Sequence, residues 1–252
     1  MSSDECRVSN EGAPAPEISY SVVVPVFNEA ANIGAYCRQA LADLPAGYEL
    51  LICYDFDGDN TVPAFNALPE NERPPHACLV RNSLGRGVRY AIEAGMRAAV
   101  APVVVVSMVD LSDDLPKVRE MVGRVRAGAD VVCASRYMKG GRQIGGPWFK
   151  GFLSRTAGVT LHWFTGLPTH DPTNSFKAYS REFLQRTPIE STQGFCLGLE
   201  LTVKAHFSGG RVEEIPATWN DRAAGESRFR LFKWLPSYLK WYFYAIRRRI
   251  FG

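Results

Sequence analysis

The stretch ISYSVVVPVFNEAANI, residues 18–33, decides the fold class of this chain. Its first ten residues form an apolar run rich in β-branched side chains. Asn28 and Glu29 then lead into a helical pattern that continues to Leu41. An apolar, β-branched run is typical of a strand, and the later continuous run at 103–109 is of the kind expected for a strand buried on both faces of a parallel sheet. The segment therefore predicts a strand followed directly by a helix.

The same alternation of strand and helix repeats along the chain. Further strands are predicted at 48–54, 77–80, 103–109 and 130–134, and helices at 87–99 and 116–126. A β-α-β-α order favours a mostly parallel central sheet flanked by helices. The predicted fold class is therefore α/β.

After residue 137 the pattern changes. The predicted elements are a Gly-rich basic loop at 139–147, an aromatic amphipathic helix at 148–164, a helix at 195–207, a strand at 211–219, and a tail helix at 231–251 that is interrupted by Pro236. The predicted organisation is a disordered polar leader at 1–17, one α/β domain at 18–230 and an amphipathic, basic and aromatic tail at 231–252.

Composition limits the class of protein. The chain has 252 residues, of which 46% are hydrophobic and 22% charged, and its net charge is +3, so it is globular and we expect no nucleic acid partner. No uninterrupted apolar run of about 18 residues occurs, so no membrane-spanning helix is predicted. The six cysteines contain no C-x-x-C pair, which indicates reduced, cytoplasmic thiols rather than a zinc site. Residues 221–252 hold eight bases and two acids, which favours an anionic surface or ligand near this end.

Polar motifs follow three of the predicted strands. Asn28 and Glu29 follow the first, YDFDGDNT at 54–61 the second, and SMVDLSDD at 107–114 the fourth. Ligands of open α/β sheets bind at the carboxyl ends of the strands. These side chains are therefore candidates for one shared site.

Each of these motifs also has a plainer interpretation. Asn28 could belong to a helix cap, and Asp55 to a solvated Asp-Gly turn. Asp113 and Asp114 would carry favourable negative charge at a helix N-terminus, and we favour that interpretation for this pair. For Gly95, close packing of a helix is favoured over contact with a ligand.

Four further segments are suited to phosphate. RNSLGRGVRYAIEAG at 81–95 combines glycines with a helix start, where backbone N–H groups favour anions. ASRYMKGG at 134–141, DPTNSFKAYS at 171–180 and DRAAGESRFR at 221–230 supply arginine and lysine. Arg136 follows a buried strand, where a charge needs a partner, and that partner is either a phosphate or a nearby acid.

In this order the motifs resemble those of the inverting family 2 glycosyltransferases. DPTNSFKAYS is the most specific of them. Together with the S-R-Y turn, it is similar to the branch of dolichyl-phosphate mannose synthases and bacterial polyprenyl-phosphate sugar transferases. The resemblance covers about residues 18–230. It implies a Rossmann-like GT-A domain and a hexosyltransferase that moves a sugar from a nucleotide diphosphate sugar to a polyprenyl phosphate with inversion.

The resemblance also implies roles for individual residues. The expected catalytic residues are Asp110, Arg136 and Asp171. The expected donor-binding residues are Pro25, Phe27, Asn28, Glu29, Cys53, Asp55, Asn82, Gly87, Val109, Asp110, Lys177, Arg222 and Arg228. The acceptor phosphate is expected on Arg136, Arg155 and Ser227.

One acid of the family's metal motif is missing. The family pattern is Asp-x-Asp at the end of the central strand, and here Met108 takes the first place and Asp110 the second. A thioether is a poor ligand for a hard cation. Mg²⁺ often binds through one carboxylate and substrate phosphates, so we expect Mg²⁺ or Mn²⁺ on Asp110, with Ser112 as a second ligand.

The expected partners follow from this reaction. They are a GDP- or UDP-linked sugar, a polyprenyl phosphate and the cytoplasmic face of a membrane, contacted by the aromatic and basic tail. A homo-oligomer or a separate membrane-anchoring subunit is left open. A phosphate monoester has its second pKa near 6 and is a nucleophile at neutral pH, so no strong general base is needed.

Three alternatives stay open at this point. One is transfer to a sugar hydroxyl in a surface polysaccharide. Another is a pseudoenzyme that binds nucleotide sugars without turnover, suggested by Met108 and by Tyr54, which takes the place of another family acid. The third concerns the tail, which could dock on the domain or contact a second subunit instead of a membrane.

Overall fold

The structure, a computed structural model, describes residues 18–221 and 231–252. Its strands are β1 (Tyr20–Pro25), β2 (Tyr48–Tyr54), β3 (Ala77–Arg81), β4 (Val103–Val106), β5 (Val131–Ser135), β6 (Arg142–Ile144), β7 (Lys177–Ser180), β8 (Val212–Pro216) and β9 (Thr218–Asn220). Its helices are α1 (Ala30–Asp43), α2 (Thr61–Asn66), α3 (Val88–Ala98), α4 (Val118–Arg126), α5 (Trp148–Thr165), α6 (Arg181–Arg186), α7 (Cys196–Phe207) and α8 (Leu231–Phe251). The leader predicted at 1–17 lies outside the described residues.

One large sheet organises the fold. Its strand order is β3-β2-β1-β4-β7-β5-β8, while β6 and β9 form a separate parallel pair. All neighbours in the large sheet are parallel except β7, which runs antiparallel between β4 and β5. In that register Lys177 lies opposite Val106 on one side and Cys133 on the other. The predicted mostly parallel α/β sheet is confirmed.

Helices cover both faces of β1. Val22 and Val24 pack with α1 and α4 on one face, and Val23 packs with α3 and α7 on the other. At Gly95 of α3, an added Cβ would lie 2.6 Å from the Cys53 sulfur, so only glycine allows α3 to approach β2 so closely. The packing interpretation of Gly95 is therefore confirmed.

The second half of the fold departs from the sequence prediction in three places. β6 forms inside the predicted loop 139–147 because it pairs with β9. β7 and the short α6 were not predicted, since a four-residue strand beginning with lysine has no clear strand pattern. The strand predicted at 211–219 is divided at Ala217 into β8 and β9.

The tail forms one continuous helix, so its predicted interruption at Pro236 is wrong. Trp241 and Ala245 of α8 are buried against Leu161 of α5 and Leu199 of α7. This packing offsets the loss of the backbone hydrogen bond that proline cannot donate. The alternative in which the tail docks on the domain is the arrangement observed.

Two expectations from composition concern thiols and the membrane. Cys37, Cys53, Cys133 and Cys196 are buried free thiols, whereas Cys78 takes part in a disulfide, so the expectation of reduced cysteines is wrong for Cys78. Within the part of the chain that the structure describes, no helix combines the length and hydropathy needed to cross a bilayer.

Candidate active site

A cleft of about 1010 Å³ opens at the carboxyl ends of β1, β2 and β4. Seven of the residues predicted from the sequence line it, namely Pro25, Phe27, Glu29, Asp55, Gly87, Val109 and Asp110. They come from separate stretches of the chain. The fold therefore assembles one site from the ends of several strands, as expected for an open α/β sheet.

Buried Asp59 shapes the first edge of the cleft. Its carboxylate accepts the backbone N–H of Asn28 at 3.0 and 3.1 Å and the hydroxyl of Thr61 at 2.6 Å. Asn28 has a φ of 55°, a left-handed conformation that asparagine tolerates better than most residues. Phe27 and Glu29 line the cleft and Asn28 does not. The helix-cap interpretation of Asn28 is wrong, because Glu29 precedes α1 and no side chain caps it.

Asp55 joins the end of β2 to the loop before α3. One carboxylate oxygen accepts from the Asn82 amide at 2.8 Å and the other from the Gly87 N–H at 2.7 Å. Asn82 is buried and also donates to the Gly85 carbonyl and accepts the Leu84 N–H. Asn82 thus holds Asp55 in place without lining the cleft. A carboxylate has about four acceptor positions, so Asp55 can still accept from a ligand.

The loop after β4 brings Asp110 and Ser112 together. The Ser112 hydroxyl donates to an Asp110 carboxylate oxygen at 2.6 Å, and Leu111 between them has a φ of 64°. Met108, which takes the place of the family's first acid, lines the same cleft as Asp110. The two predicted metal ligands are therefore neighbours, but only Asp110 lines the cleft, because Ser112 is buried behind it.

Asp113 is buried and its carboxylate is folded back onto the end of β4. One oxygen accepts the Met108 N–H at 2.8 Å and the Ser107 hydroxyl at 3.2 Å. Burial raises the pKa of Asp113 to about 7; the Met108 N–H opposes this rise and the charge of Asp110 adds to it. The helix N-terminus interpretation is therefore wrong for Asp113.

β9 holds the same loop from its other side. The Asp114 carboxylate accepts the Thr218 N–H at 3.0 Å, and the Ser112 carbonyl accepts the Asn220 N–H at 3.0 Å. Asp114 does precede a short 3₁₀ helix at Leu115–Lys117, as the N-terminus interpretation requires. Its side chain nevertheless bonds to β9 and not to the helix.

The donor atoms around Asp110 fit a cation that takes few protein ligands. Among the described residues, no group of three or more His, Cys, Asp or Glu side chains is placed to hold a metal ion. Asp110 offers a carboxylate and Ser112 a hydroxyl, while Met108 offers only a thioether. Such a set suits a hard cation if substrate phosphates and water complete its shell.

Arg136 and Asp171 form a buried bidentate ion pair. The Arg136 Nε donates to one Asp171 oxygen at 2.7 Å and Nη2 donates to the other at 2.9 Å. Nη2 also donates to the Ser154 hydroxyl of α5 at 3.0 Å. Burial lowers the pKa of the guanidinium, but the charge of Asp171 outweighs it and raises the pKa above its ordinary value. Arg136 therefore has the acid partner that was the alternative to phosphate, and its phosphate contact stays a prediction.

Lys177 and Cys53 do not line the cleft. Lys177 is fully buried in β7, where its ammonium donates to the carbonyls of Pro172, at 3.1 Å, and Asn174. Burial lowers the pKa of this ammonium. Cys53 is equally buried in β2 against Gly95. Both side chains are buried in the core and do not reach the cleft. A role in donor binding would require them to line it.

The remaining predicted residues lie on α5 or outside the described chain. Arg155 is exposed on α5. Burial raises the pKa of Tyr137, and the charges of Arg136 and Arg155 both oppose that rise, which places Arg155 in the same neighbourhood as Arg136. Three residues predicted to bind phosphate, Arg222, Ser227 and Arg228, lie outside the described residues.

One wall of the cleft was not predicted from the sequence. It consists of residues 192–195 and of Lys233 and Trp234 at the start of α8. Gly194 has a φ of 60°, and an added Cβ there would lie 2.5 Å from the Trp234 ring. Glycine at this position therefore lets α8 close onto the cleft.

Glu200 fixes the backbone that leads into residues 192–195 of this wall. It is fully buried in α7 and accepts the N–H groups of Glu190 at 2.6 Å and Ser191 at 2.8 Å. The Trp241 indole donates to the Ser191 hydroxyl at 3.0 Å, which ties α8 to the same segment. Lys204, one turn further along α7, pairs with this carboxylate at 2.8 Å.

Arg89 of α3 is a second contributor that sequence reasoning missed. It lines the cleft, is paired with Glu93 at 2.5 Å and donates to the Ile189 carbonyl at 3.2 Å. Arg89 therefore connects α3 to the segment that leads into the 192–195 wall.

A sequence model described as Glycosyl transferase family 2 matches residues 21–187, more than half of the chain. The chain belongs to glycosyl transferase family 2. It is a glycosyltransferase that uses a nucleotide sugar, and the predicted class of hexosyltransferase is confirmed.

Curated relatives cover most of the chain. It is 28% identical over 212 residues to the polyprenol monophosphomannose synthase of Mycolicibacterium smegmatis, a match that spans 82% of this chain and 79% of the relative. It is 26% identical over 232 residues to the dolichol-phosphate mannosyltransferase of Pyrococcus furiosus, spanning 85% and 64%. It is 32% identical over 219 residues to glycosyltransferase AglD of Haloferax volcanii, spanning 83% of this chain but only 34% of that longer protein.

Solved structures share the fold. Glucosyl-3-phosphoglycerate synthase from Mycobacterium tuberculosis, in complex with Mn²⁺, UDP and glucosyl-3-phosphoglycerate, superposes with a TM-score of 0.64 at 19% identity, over 100% of this chain and 85% of that one. The UDP complex of the same enzyme gives 0.63 at 19% identity, over 92% and 79%. At this identity the likeness shows the fold alone, and the predicted GT-A architecture is confirmed.

Proposed function

We propose that this glycosyltransferase moves a sugar from a nucleotide diphosphate sugar to a polyprenyl phosphate, with inversion. The observation that carries the proposal is the cleft itself. Asp55 and Asp110 lie at its sheet edge, and the start of α8, a helix with exposed apolar side chains, forms its opposite wall. The names of two relatives, a polyprenol monophosphomannose synthase and a dolichol-phosphate mannosyltransferase, support this class of acceptor.

The donor nucleoside would lie against the ends of β1 and β2. Asp55, held by Asn82 and Gly87, can accept N–H bonds from a base edge. Phe27 and Glu29 line the same part of the sheet edge. We keep both GDP- and UDP-linked sugars as donors, since carboxylate acceptors suit either base.

The diphosphate would lie toward Asp110. Asp110 and Ser112 would hold Mg²⁺ or Mn²⁺, and the ion would supply positive charge to the leaving diphosphate. Arg86 and Lys233 also line the cleft and bring further positive charge. Stabilising charge that develops on a leaving group is a large part of catalysis in such sites.

The acceptor phosphate would approach from the side of α5. Arg136 and Arg155 would bind it, and the role of Asp171 would be to hold Arg136 in its bidentate pair. Ser227, Arg222 and Arg228 keep their proposed contacts with phosphate. Because a phosphate monoester is already ionised near neutral pH, the site needs no strong general base.

The surface of α5 and α8 would lie on the cytoplasmic face of a membrane. Trp148 is 80% exposed and Trp163 74% exposed, so these aromatic side chains of α5 are not part of the core. Other exposed apolar residues of the two helices are Phe149, Phe152, Phe164, Leu239, Phe243, Ile250 and Phe251. Aromatic side chains with nearby bases suit the interface of an anionic bilayer.

Two acceptors that differ only in the phosphate provide the test. Purified protein is incubated with labelled GDP- or UDP-sugars and Mn²⁺, and with either a polyprenyl phosphate or the corresponding polyprenol. A thermal-shift panel first selects the donor, because a bound ligand stabilises the folded state. We expect transfer to the phosphate and none to the alcohol.

The other outcomes distinguish the alternatives. Transfer to a soluble sugar hydroxyl, with none to the polyprenyl phosphate, would replace the proposed acceptor. Donor binding without turnover in Mg²⁺, Mn²⁺ or chelator would make the chain a pseudoenzyme.

A further inference from the structure

One part of the cleft is not used by the proposed contacts with nucleoside and diphosphate. The nucleoside would lie at the ends of β1 and β2 and the diphosphate toward Asp110, so the transferred sugar is the piece of the donor that remains. The unused lining consists of Arg89 and of the wall formed by residues 192–195 and Trp234. This lining combines hydrogen-bonding side chains with aromatic rings, which suits a ligand that has both an apolar ring face and many oxygen atoms.

The end of β4 and the start of α3 meet on this side of the sheet. Met108, Val88 and Phe195 all pack against the same buried apolar cluster. Met108 is two residues from Asp110, and Val88 is next to Arg89. A sugar on a diphosphate near Asp110 can therefore extend along this side of the cleft toward Arg89.

Arg89 is buried with its hydrogen bonds incomplete. It is only 7% exposed, its Nη1 lies 2.5 Å from the Glu93 carboxylate, and its Nη2 donates to the Ile189 carbonyl at 3.2 Å. Its Nε, by contrast, is buried and has no hydrogen-bond partner within residues 18–221 and 231–252. A buried donor without a partner is costly. Because Arg89 lines the cleft, a ligand in the cleft can complete its hydrogen bonds.

The charge of Arg89 is only partly neutralised. One oxygen of Glu93 pairs with Arg89, and the other pairs with Arg97 at 2.6 Å. Two positive charges and one negative charge leave this group with a net charge of +1. Arg97 is 66% exposed and is solvated by water, whereas Arg89 is not. The cleft side of this group therefore favours oxygen atoms that accept hydrogen bonds.

We propose that Arg89 binds the transferred sugar of the donor and determines which sugar the enzyme uses. Its guanidinium donates to an oxygen of the sugar, which is a hydroxyl in a neutral hexose or a carboxylate in a hexuronic acid. Thr192, Gln193 and the Trp234 ring form the opposite side of this sugar subsite. A site that hydrogen-bonds a particular oxygen rejects donors that lack it, because its own buried polar groups are then left unpaired. The inference rests on the proposed function for its donor, a nucleotide sugar.

The first test compares each nucleotide with its nucleotide sugar. Binding of GDP, UDP, GDP-mannose, UDP-glucose and UDP-glucuronate to the full chain is measured by titration calorimetry in Mn²⁺. For the sugar that the wild type prefers, Arg89→Met should weaken binding of the nucleotide sugar at least about tenfold, as expected for a lost hydrogen bond to a charged group. Binding of the nucleotide alone should stay within about threefold of the wild type.

Arg97→Met is the matched control. It removes the other partner of Glu93, but Arg97 does not line the cleft. This variant should bind both the nucleotide and the nucleotide sugar as the wild type does. Arg89→Met that keeps the wild-type affinity for the nucleotide sugar would overturn the inference.

A second comparison separates contact with the sugar from support of the wall, because Arg89 also holds Ile189. Analogues of the preferred donor that lack one sugar oxygen at a time are titrated into both proteins. For a hexuronate, the corresponding hexose is the analogue that lacks the carboxylate. One analogue should bind the wild type at least about tenfold more weakly than the parent donor does, yet bind Arg89→Met as the parent does. If no analogue shows this coupling, Arg89 does not touch the sugar and the inference is wrong.

A double variant decides if Arg89→Met alone does not fold. Arg89→Met with Glu93→Gln leaves no buried charge unpaired, and it should show the same loss of affinity for the nucleotide sugar and the same coupling.

The transfer assay keeps this inference apart from the proposed function. If the wild type transfers sugar to polyprenyl phosphate but Arg89→Met binds the donor equally well, the role of Arg89 falls and the function stands. If the wild type transfers nothing to polyprenyl phosphate but the titrations go as expected, the proposed acceptor falls and the role of Arg89 stands.

Discussion

Two regions of the molecule keep the family's sequence motifs to different extents. One is the sheet edge of the cleft, and the other is the segment around the Arg136–Asp171 pair. The sheet edge lacks two of the family's acids, yet Asp55 and Asp110, the acids that remain, line the cleft. The other segment keeps the family's residues, yet Asp171 and Lys177 are fully buried, Asp171 in its pair with Arg136 and Lys177 bonded to backbone carbonyls. A close motif match can therefore mark framework, while a degraded motif can still line the cleft.

Removing the acid of the buried pair should have the largest effect. Asp171→Ala would leave the Arg136 guanidinium buried without its carboxylate, which should cost about 3–5 kcal/mol in the free energy of unfolding. Urea denaturation followed by circular dichroism measures this cost.

The matched control replaces both charges. Arg136→Met with Asp171→Leu removes the unpaired charge and should cost less than Asp171→Ala alone. If Asp171→Ala unfolds at the urea concentration of the wild type, this segment is not framework and the contrast with the sheet edge fails.

Removing an acid of the cleft should act on turnover and leave stability unchanged. Asp110→Ala should lower the transfer rate by at least about 100-fold, the usual order for loss of a group that stabilises transition-state charge. Its melting temperature should match that of the wild type and of Glu70→Gln, which replaces an exposed acid outside the cleft. Retained turnover in Asp110→Ala would contradict the placement of the reaction at this edge.

The first half of the fold follows from the sequence because burial on both faces demands continuous apolar runs. The bounds of β2 were predicted without error and those of β1 and β5 to within two residues. β7 could not be predicted in this way, because it is a short strand inserted antiparallel between β4 and β5, and distant pairing defines it.

The sequence predicted the part of the site that follows the ends of strands. It did not predict the part that forms only when α8 packs onto α7. Asp55 and Asp110 follow strands, so their position at one edge follows from the topology of the sheet. The wall of 192–195 and Trp234 exists only because α8 packs back onto α7, and no local pattern encodes that contact. The sequence suggested donor binding for Lys177, whose ammonium instead donates to backbone carbonyls in the core. No local sequence pattern indicates that contact.

Two neighbouring acids allow a sharper test of the donor edge. Asp55 lines the cleft, whereas Asp57 is exposed and paired with Arg81. Asp55→Ala should weaken nucleotide binding by about 1–3 kcal/mol, the range for a good carboxylate or amide contact with a base. Asp57→Ala should leave binding unchanged. Calorimetry with GDP and UDP compares the two, and equal affinities in both variants would exclude Asp55 from donor binding.

The smallest effect on the fold is expected at the exposed surface of α5. Trp163→Ala should change the free energy of unfolding by no more than about 0.5 kcal/mol, as at most surface positions. It should nevertheless weaken sedimentation with anionic vesicles, whereas Leu41→Ala, an exposed apolar residue on α1, should not. Vesicle binding by Trp163→Ala that equals the wild type would remove this surface from the membrane contact.

The most direct test of the central claim is the chemical nature of the product. Labelled donor, Mn²⁺ and polyprenyl phosphate are incubated with the wild type or with Asp110→Ala, and the organic phase is then treated with mild acid. The account predicts label in the organic phase that mild acid releases, as expected for a sugar bound through phosphate, and background label with Asp110→Ala. Organic-phase label that does not exceed the Asp110→Ala background, although the wild type binds the donor, would contradict it.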